Sequence, residues 1–213
     1  MSDNERKPVI LFTQKSPYKV ENLDTFINSS NEDIPVRDEM FLCRCGDSTK
    51  KPFCDGSHAV KGLIEEKLPD RVEDHRKAYI GNGIIVHFNG GICSHDGACL
   101  RRLPEVFNLE RRPWINPDGA PPEEIMETIR RCPSGALSYT FNNIHHINFD
   151  REPSLKVAKN GPLKIIGWIK LKDDQGTVPD SEEHYTLCRC GGSHNKPFCD
   201  GTHIHNGFED PDN

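Results

Sequence analysis

One cysteine- and histidine-rich motif occurs twice in this chain of 213 residues. The first copy, CRCGDSTKKPFCDGSH, begins at Cys43, and the second, CRCGGSHNKPFCDGTH, begins at Cys188, 145 positions further along. When each motif is aligned with the leucine before it, 13 of 17 residues are identical. Because the register holds without a gap, the sequence predicts two copies of one small unit, separated by a segment of a different kind.

The spacing C-x-C-x8-C-x3-H supplies three thiols and one imidazole, which suit either zinc or an iron–sulfur cluster. Structural zinc more often takes cysteine pairs that are separated by two residues, whereas one residue separates the first pair here. The first pair lies on one extended segment and the second pair crosses a turn, which favours a two-iron core over a single ion. The candidate ligands are Cys43, Cys45, Cys54 and His58 in the first copy and Cys188, Cys190, Cys199 and His203 in the second.

An aspartate directly follows the third cysteine of each motif. The sequence predicts that Asp55 is the N-cap of a short helix whose first turn carries His58. A helix N-terminus next to Cys54 would place partial positive charge beside an anionic cluster. By the same reasoning, Asp200 supports the second copy, so both aspartates are assigned to cofactor binding.

The pattern CRCGxSxxKPFCDG[ST]H resembles the signature of the CDGSH, or NEET, iron–sulfur family, and both copies match it throughout. The resemblance implies one [2Fe-2S] cluster in each copy. Its first two cysteines would bind one iron, and the third cysteine and the histidine would bind the outer iron. The resemblance also implies that the family's dimer is formed by the two units within a single chain.

A second group of cysteines lies between the two motifs. Cys93 and Cys99 are separated by five residues, and a proline follows Cys132. Asp96 stands where bacterial ferredoxins have their middle cysteine. Three cysteines suffice for a [3Fe-4S] cluster, whereas a [4Fe-4S] cluster needs a fourth ligand, for which Asp96 leads and His95 follows. Asp-Gly is also a common turn pair, so Asp96 has a second interpretation.

Residues 79–139 resemble the divergent single-cluster ferredoxin domains, which share CSHDGAC, LPEVF, PWINPDGA and CPSGALSY. The resemblance implies one cluster bound by Cys93, Cys99 and Cys132. The aromatic rings of Phe107 and Trp114 are candidates to shield it from water, since a dry shell tunes the potential of a cluster.

Short β-like runs precede both motifs: VILF and YKV before the first, LKIIGWIKL and HYTL before the second. Between the motifs we predict a strand in GIIVHF, a helix over residues 122–131, and a hairpin of LSYTF and IHHINF around Asn142 and Asn143. The charged stretch EEKLPDRVEDHRKA is the predicted linker, with a solvated helix as the alternative.

The predicted fold class is α+β. Two small β-rich units, at residues 1–64 and 151–213, flank a ferredoxin-like α+β domain at residues 65–150. The repeat also permits a pairing of the two units by pseudo-twofold symmetry.

The overall charge and hydropathy exclude several classes of partner. The net charge is −6, with 33 acidic and 27 basic residues, so nothing favours nucleic acid. No run approaches the roughly 20 apolar residues that cross a bilayer, and no signal sequence is recognisable. Nine cysteines are an odd number, which does not suit a complete disulfide framework. We therefore expect a cytoplasmic protein without a membrane partner.

The sequence predicts an iron–sulfur protein that transfers electrons between redox partner proteins and is not an enzyme. All nine cysteines are assigned as ligands, and the common nucleophile and nucleotide motifs are absent. The first alternative is a cluster donor to apo iron–sulfur acceptors or a redox or iron sensor, and the second is a zinc-stabilised interaction module. A monomer with intramolecular pairing is favoured over an obligate homodimer.

Overall fold

The computed structural model describes residues 7–63 and 65–213, which form twelve short strands and three short α-helices. The first repeat contributes β1 (Val9–Phe12), β2 (Tyr18–Glu21), β3 (Phe26–Ile27), β4 (Glu39–Leu42) and α1 (His58–Lys61). The middle segment contributes β5 (Arg76–Ile80), β6 (Ile85–Asn89), a 3-10 turn (Gly90–Ile92), α2 (Ala98–Arg102), α3 (Pro122–Arg130), β7 (Leu137–Phe141) and β8 (Ile144–His146). The second repeat contributes β9 (Ser154–Val157), β10 (Leu163–Ile166), β11 (Lys170–Asp173), β12 (His184–Leu187) and a 3-10 turn (Thr202–Ile204).

The two repeats exchange one strand each. One four-stranded sheet has the order β11-β1-β2-β4, and another has the order β12-β10-β9-β3. Strand β11 of the second repeat runs parallel to β1, with Val9 opposite Lys170, and β3 of the first repeat runs parallel to β9, with Phe26 opposite Leu155. Every strand of one sheet has its equivalent in the other sheet, shifted by the repeat distance.

A shared apolar core fixes this exchange. Alternate residues of the strands point inward, such as Ile10, Val20, Leu155 and Ile165, all fully buried in one cluster. A register slip of one residue would turn such residues to solvent, so the pattern specifies the pairing. The repeats therefore form one body with two sheets.

The middle segment forms its own antiparallel sheet in the order β5-β6-β7-β8. Asn142 and Asn143 both have positive φ, 50° and 62°, as a tight two-residue hairpin requires, so the predicted hairpin is confirmed. The predicted helix is also confirmed: α3 begins with Pro122 at a first-turn position and buries Ile125 and Ile129 against the sheet's own core.

The structure differs from the sequence prediction in several places. LKIIGWIKL is two strands, because Gly167 and Trp168 take φ values of 83° and 63° between β10 and β11. The charged stretch contains no helix and becomes β5 at Arg76. Five elements were not predicted, namely β3, β4, β5, β9 and α2. Among the described residues, no helix has the length and apolar character needed to span a bilayer.

Candidate metal centres

The first motif is a loop that folds back onto β4. The amide of Cys43 donates to the Pro52 carbonyl at 2.8 Å, and the amide of Cys54 donates to the Phe41 carbonyl at 2.8 Å. These bonds place the third cysteine beside the first pair. The Sγ atoms of Cys43 and Cys45 are 3.6 Å apart, and Cys54 Sγ is 3.2 Å from Nδ1 of His58.

The second motif repeats this geometry beside β12. The amide of Cys188 donates to the Pro197 carbonyl at 2.8 Å, and Cys199 donates to Thr186 at 3.0 Å. The Sγ atoms of Cys188 and Cys190 are 3.8 Å apart, and Cys199 Sγ lies 3.4 Å from Nδ1 of His203.

Each motif thus presents its ligands as two short pairs. Within residues 7–63 and 65–213, no three histidine, cysteine or acidic side chains converge as ligands of a single metal ion do. A two-iron core takes two protein ligands on each iron, and the pairs fit that donor arrangement. Backbone N–H groups also point at sulfur, from Gly56 to Cys54 at 3.4 Å and from Gly201 to Cys199 at 3.5 Å, which stabilises thiolate charge.

The aspartate after the third cysteine organises the loop but does not cap the helix. Helix α1 begins at His58 with Ser57 as its N-cap, so the predicted N-cap role of Asp55 is wrong. Asp55 instead accepts hydrogen bonds from the hydroxyl and amide of Ser57 and from Thr49, and these bonds hold its pKa well below the usual range. The side chain is too short to reach further into the helix once it has formed this Asx turn.

Asp200 makes the equivalent bonds in the second motif, to Thr202 and to the amide of His194. Burial raises the pKa of Asp200, but these hydrogen bonds outweigh it and the net shift is downward. Both aspartates therefore brace the loop that carries the third cysteine and the histidine.

The two motifs meet at their second cysteines. Cys45 and Cys190 form an antiparallel backbone bridge. A Cβ on Gly46 would lie 2.6 Å from the carbonyl oxygen of Cys190, and Gly191 approaches Cys45 in the same way. Both glycines have positive φ, 89° and 78°, so the close approach and the backbone conformation both require glycine.

The second motif is more deeply buried than the first. Cys188 and Cys199 are 0% and 2% exposed, whereas Cys54 is partly exposed. Burial accordingly raises the pKa of Cys199 well above its ordinary value. Gly201 is covered by the ring of His95, while a Cβ on the equivalent Gly56 would meet nothing within 4 Å.

Tyr18 connects the first repeat to the second motif and was not identified from the sequence. Its buried hydroxyl donates to the carbonyl of Cys188 at 3.0 Å and to the carbonyl of Pro197 at 3.2 Å. The equivalent residue of the second repeat is Leu163, so the first motif receives no such bond from that position. This residue difference between otherwise similar copies was a signal in the sequence.

The three cysteines of the middle segment are electrostatic neighbours, although they do not converge as the ligands of a single ion do. Cys93 follows the 3-10 turn, Cys99 lies in α2, and Cys132 follows α3. Burial raises the pKa of Cys93 to about 12 and that of Cys99 to about 11, and the neighbouring Cys132 thiol raises both further. A cysteine thiol whose pKa is raised by burial still loses its proton when it binds a metal as a thiolate. The sulfur set fits the predicted cubane-type centre.

The two candidates for the fourth ligand both face the second repeat. Asp96 Oδ2 accepts a hydrogen bond from Lys164 Nζ at 2.6 Å, and Arg101 lies 3.5 Å from the other carboxylate oxygen. His95, with a φ of 53°, packs on Gly201.

The predicted aromatic shield is part of the middle core, against which Cys99 and Cys132 also pack. Trp114 meets Phe88 edge-on at 4.8 Å between ring centroids, and it lies 6.1 Å from Phe107.

These ligand sets define an iron–sulfur protein with a tandem, interrupted arrangement. A family model described as iron-binding zinc finger, CDGSH type, matches residues 15–59 and 160–204, and a model described as divergent 4Fe-4S mono-cluster matches residues 79–142. The chain belongs to the CDGSH iron–sulfur family, with a divergent single-cluster 4Fe-4S domain between its two CDGSH units.

Among curated proteins, the chain is similar to the uncharacterized protein YjdI of Escherichia coli strain K12 and to the YjdI protein of Escherichia coli O157:H7. Each is 46% identical over 63 residues, which are 30% of this chain and 83% of the relative. No solved structure matches the chain.

Proposed function

We propose that this iron–sulfur protein carries two [2Fe-2S] clusters and one cubane-type cluster, and that it transfers electrons between protein partners. Each CDGSH unit would hold its cluster with three cysteines and one histidine. The middle domain would hold a [4Fe-4S] cluster, with Asp96 completing the set formed by Cys93, Cys99 and Cys132, or a [3Fe-4S] cluster without it. Bound clusters supply reversible one-electron chemistry, and the polypeptide sets their spacing and exposure.

The observation that carries this proposal is the contact between all three ligand sets. His95, two residues after Cys93, packs on Gly201, which lies between Cys199 and His203. At the opposite side, Cys190 pairs through its backbone with Cys45 of the first motif. The ligand loops thus form a continuous series from the middle domain to the second unit and then to the first.

The ligands of the two CDGSH units differ in their exposure to solvent, and this difference indicates which unit a partner protein can reach. In the second unit Cys199 is buried and His95 of the middle domain covers Gly201, whereas Cys54 of the first unit is partly exposed. We therefore assign the cluster of the second unit to relaying electrons within the chain, and the cluster of the first unit to exchanging electrons with a partner protein. The proposal includes no catalytic residue, a monomer as the working state, and the cytoplasm as the compartment, where thiols stay reduced.

A second candidate function is donation of a cluster or sensing of iron. The same exposure at Cys54 favours it, because an exposed ligand pair is open to an acceptor's thiols. A zinc-stabilised interaction module is the third candidate.

The test begins with anaerobic purification and analysis of iron, acid-labile sulfide and zinc, followed by EPR on the reduced protein. The proposal predicts two spectra of the three-cysteine, one-histidine type together with one cubane-type signal. A colourless, zinc-loaded protein would support the third candidate. Incubation with an apo-ferredoxin separates the other two, because electron carriage requires that the clusters stay on this chain while electrons pass to an added acceptor.

A further inference from the structure

The middle domain covers one particular face of the second repeat, beside its metal motif. Asp180 accepts hydrogen bonds from Arg76 and from Asn89, both at 2.8 Å. Ser181 donates to Asn148 at 2.9 Å, and Gly135 packs on the Ser181 side chain. Because of this cover, the side chain of Ser181 is fully buried.

The cover continues along β12 and onto the metal motif itself. His184 stacks on Phe149 with ring centroids 5.6 Å apart, and Thr186 is only 1% exposed. Further along, the Asn195 side chain donates to the carbonyl of Gly91 at 2.8 Å. A single-cluster domain therefore docks along β12 and ends at the CDGSH loop.

The equivalent face of the first repeat is open. Val36 and Phe41 stand where the second repeat has Ser181 and Thr186, and they are 40% and 47% exposed. Together with Pro35, which replaces Asp180, these residues form an apolar face that we call the β4 face. In the second repeat the same positions are polar, with Ser181 and Thr186 buried under the middle domain and Asp180 partly exposed.

A cavity of about 380 Å³ opens on the β4 face and reaches a candidate ligand. Its lining includes Pro35, Phe41, Phe53 and Cys54. A side chain of a partner that filled this cavity would touch both the apolar face and the partly exposed Cys54. The cavity is thus placed to bring a partner close to the first centre.

The β4 face also differs in charge from its covered counterpart. Arg37 replaces Glu182 and Lys50 replaces Asn195, and both basic side chains are exposed. Glu39, which replaces His184, is paired with Lys19 at 2.7 Å. Acidic residues are also present, since Glu39 replaces a neutral residue and Asp38 stands at the position of Glu183. The two added basic side chains are the groups that can pair with an acidic partner.

We propose that the β4 face is the docking site for a separate, small, acidic ferredoxin-type protein. Its partner class is inferred from the chain itself, because a single-cluster domain occupies the equivalent face of the second repeat. The apolar centre would be Phe41 and Val36, and the basic rim would be Arg37 and Lys50, as in interfaces with an aromatic hot spot and a charged edge. The inference rests on the proposed electron-transfer function, since it names the partner of the exposed centre.

The test measures affinity, using the cluster-loaded full chain and a bacterial ferredoxin with two [4Fe-4S] clusters as the probe. Isothermal titration calorimetry should give a Kd that is weakened about tenfold by Phe41→Lys, as expected for an aromatic hot spot. Phe41→Thr, which copies the residue of the second repeat, should weaken binding in the same direction. Ile80→Lys is the matched control, because Ile80 is 79% exposed on the middle domain and distant in the sequence from the β4 face.

Added salt should weaken the wild-type complex, and Lys50→Glu should reduce that salt dependence. Equal Kd values for Phe41→Lys, Phe41→Thr and Ile80→Lys, or no binding of the probe by the wild type, would overturn the inference. Sedimentation that shows self-association abolished by Phe41→Lys would assign the face to a second copy and would also overturn it.

Stopped-flow mixing of the reduced probe with the oxidised chain separates this inference from the proposed function. Electron exchange with no dependence of Kd on Phe41 would refute the docking site alone. Binding that depends on Phe41, without electron exchange, would support the docking site and refute electron transfer.

Discussion

The ammonium group of Lys164 lies 2.6 Å from Oδ2 of Asp96 and joins the second CDGSH unit to the cysteine loop of the middle domain. Both side chains are about one-fifth exposed, at 21% and 22%, so water only partly screens the pair. Arg101 holds the other oxygen of the same carboxylate from within the middle domain. Asp96 therefore ties the cysteine loop of the middle domain to β10 of the second unit.

Lys164→Met should loosen the loop that carries Cys93 and Cys99 from the second unit. Partly exposed ion pairs contribute up to about 1 kcal/mol, so amide exchange of residues 94–97 should accelerate by up to about fivefold. Hydrogen exchange with mass spectrometry measures this directly. Lys19→Met is the matched control, because Lys19 is the equivalent residue and, among the described residues, pairs with Glu21 and Glu39 of its own sheet. Similar acceleration in both variants would contradict the prediction.

Asp96→Ala tests the fourth ligand of the middle centre. If the carboxylate binds iron, its loss leaves three thiolates, and the variant should show the EPR signal of a [3Fe-4S] cluster in place of the four-iron form. His95→Ala should leave the four-iron signal in place. An unchanged spectrum of Asp96→Ala would restrict Asp96 to its ion pairs with Lys164 and Arg101.

Tyr18→Phe should weaken the second CDGSH unit selectively. The change removes a buried hydroxyl that donates to two carbonyls, of Cys188 and Pro197, and leaves both without this donor. The Pro197 carbonyl keeps the amide of Cys188 as a donor, so the cost falls on the Cys188 carbonyl, and leaving a buried acceptor unpaired costs about 1–3 kcal/mol. The denaturant midpoint at which the visible cluster absorption is lost should fall for one of the two CDGSH centres. Tyr185→Phe is the control, since its hydroxyl bonds to Ile169 rather than to the motif.

Glu183→Gln should remove an acid-sensitive part of the stability. The fully buried carboxylate accepts hydrogen bonds from Arg151 at 2.6 Å and from His184 at 2.8 Å. Burial raises its pKa, but these bonds outweigh burial and bring the pKa from 4.5 to about 2. A depressed pKa stabilises the folded chain fully above the ordinary value, and the gain is lost as the pH falls from about 5 towards 2.

The difference in denaturant midpoint between wild type and Glu183→Gln should accordingly be large near neutral pH and shrink at about pH 4. Because the two proteins are compared at each pH, any loss of clusters that they share cancels. A constant difference over this range would show that the carboxylate does not titrate as described.

An iron chelator should remove iron from the first CDGSH unit faster than from the second. Cys54 is partly exposed and a Cβ on Gly56 would meet no atom within 4 Å, whereas His95 covers Gly201. Cys54→Ser and Cys199→Ser each leave one intact CDGSH site, so the absorbance decay of each variant assigns the two rates. Equal rates would show that the middle domain does not protect the second unit.

The ligand sets and the middle hairpin were accessible from the sequence because local chemistry determines them. Cysteine and histidine spacing is a local property, and Asn142-Asn143 supports the positive φ angles of its turn without outside help. The exchanged strands were not accessible. Phe26–Ile27 is only two residues long, and it becomes a strand because β9 lies beside it.

The missed features and the wrong prediction have different physical causes. β4 alternates between exposed and buried positions, but its outward residue Phe41 is apolar, so EMFL lacks the alternation of polar and apolar residues that identifies a half-buried strand in a sequence. Asp55 lies two residues before the N-cap position, which Ser57 occupies, and its oxygens accept hydrogen bonds from the amides of Thr49 and Ser57. Tyr18 is a plain strand residue until the second motif, 170 residues away, receives its hydroxyl.

Because β3 and β11 each pair with the sheet of the other repeat, the two repeats cannot separate unless each sheet loses an edge strand. If a protease cut the charged stretch after residue 65, the two fragments would stay associated through the two exchanged strands. Both ends of the inserted 4Fe-4S domain are consequently joined to one folded body, so the connections of the chain restrict the position of the domain in addition to its own contacts.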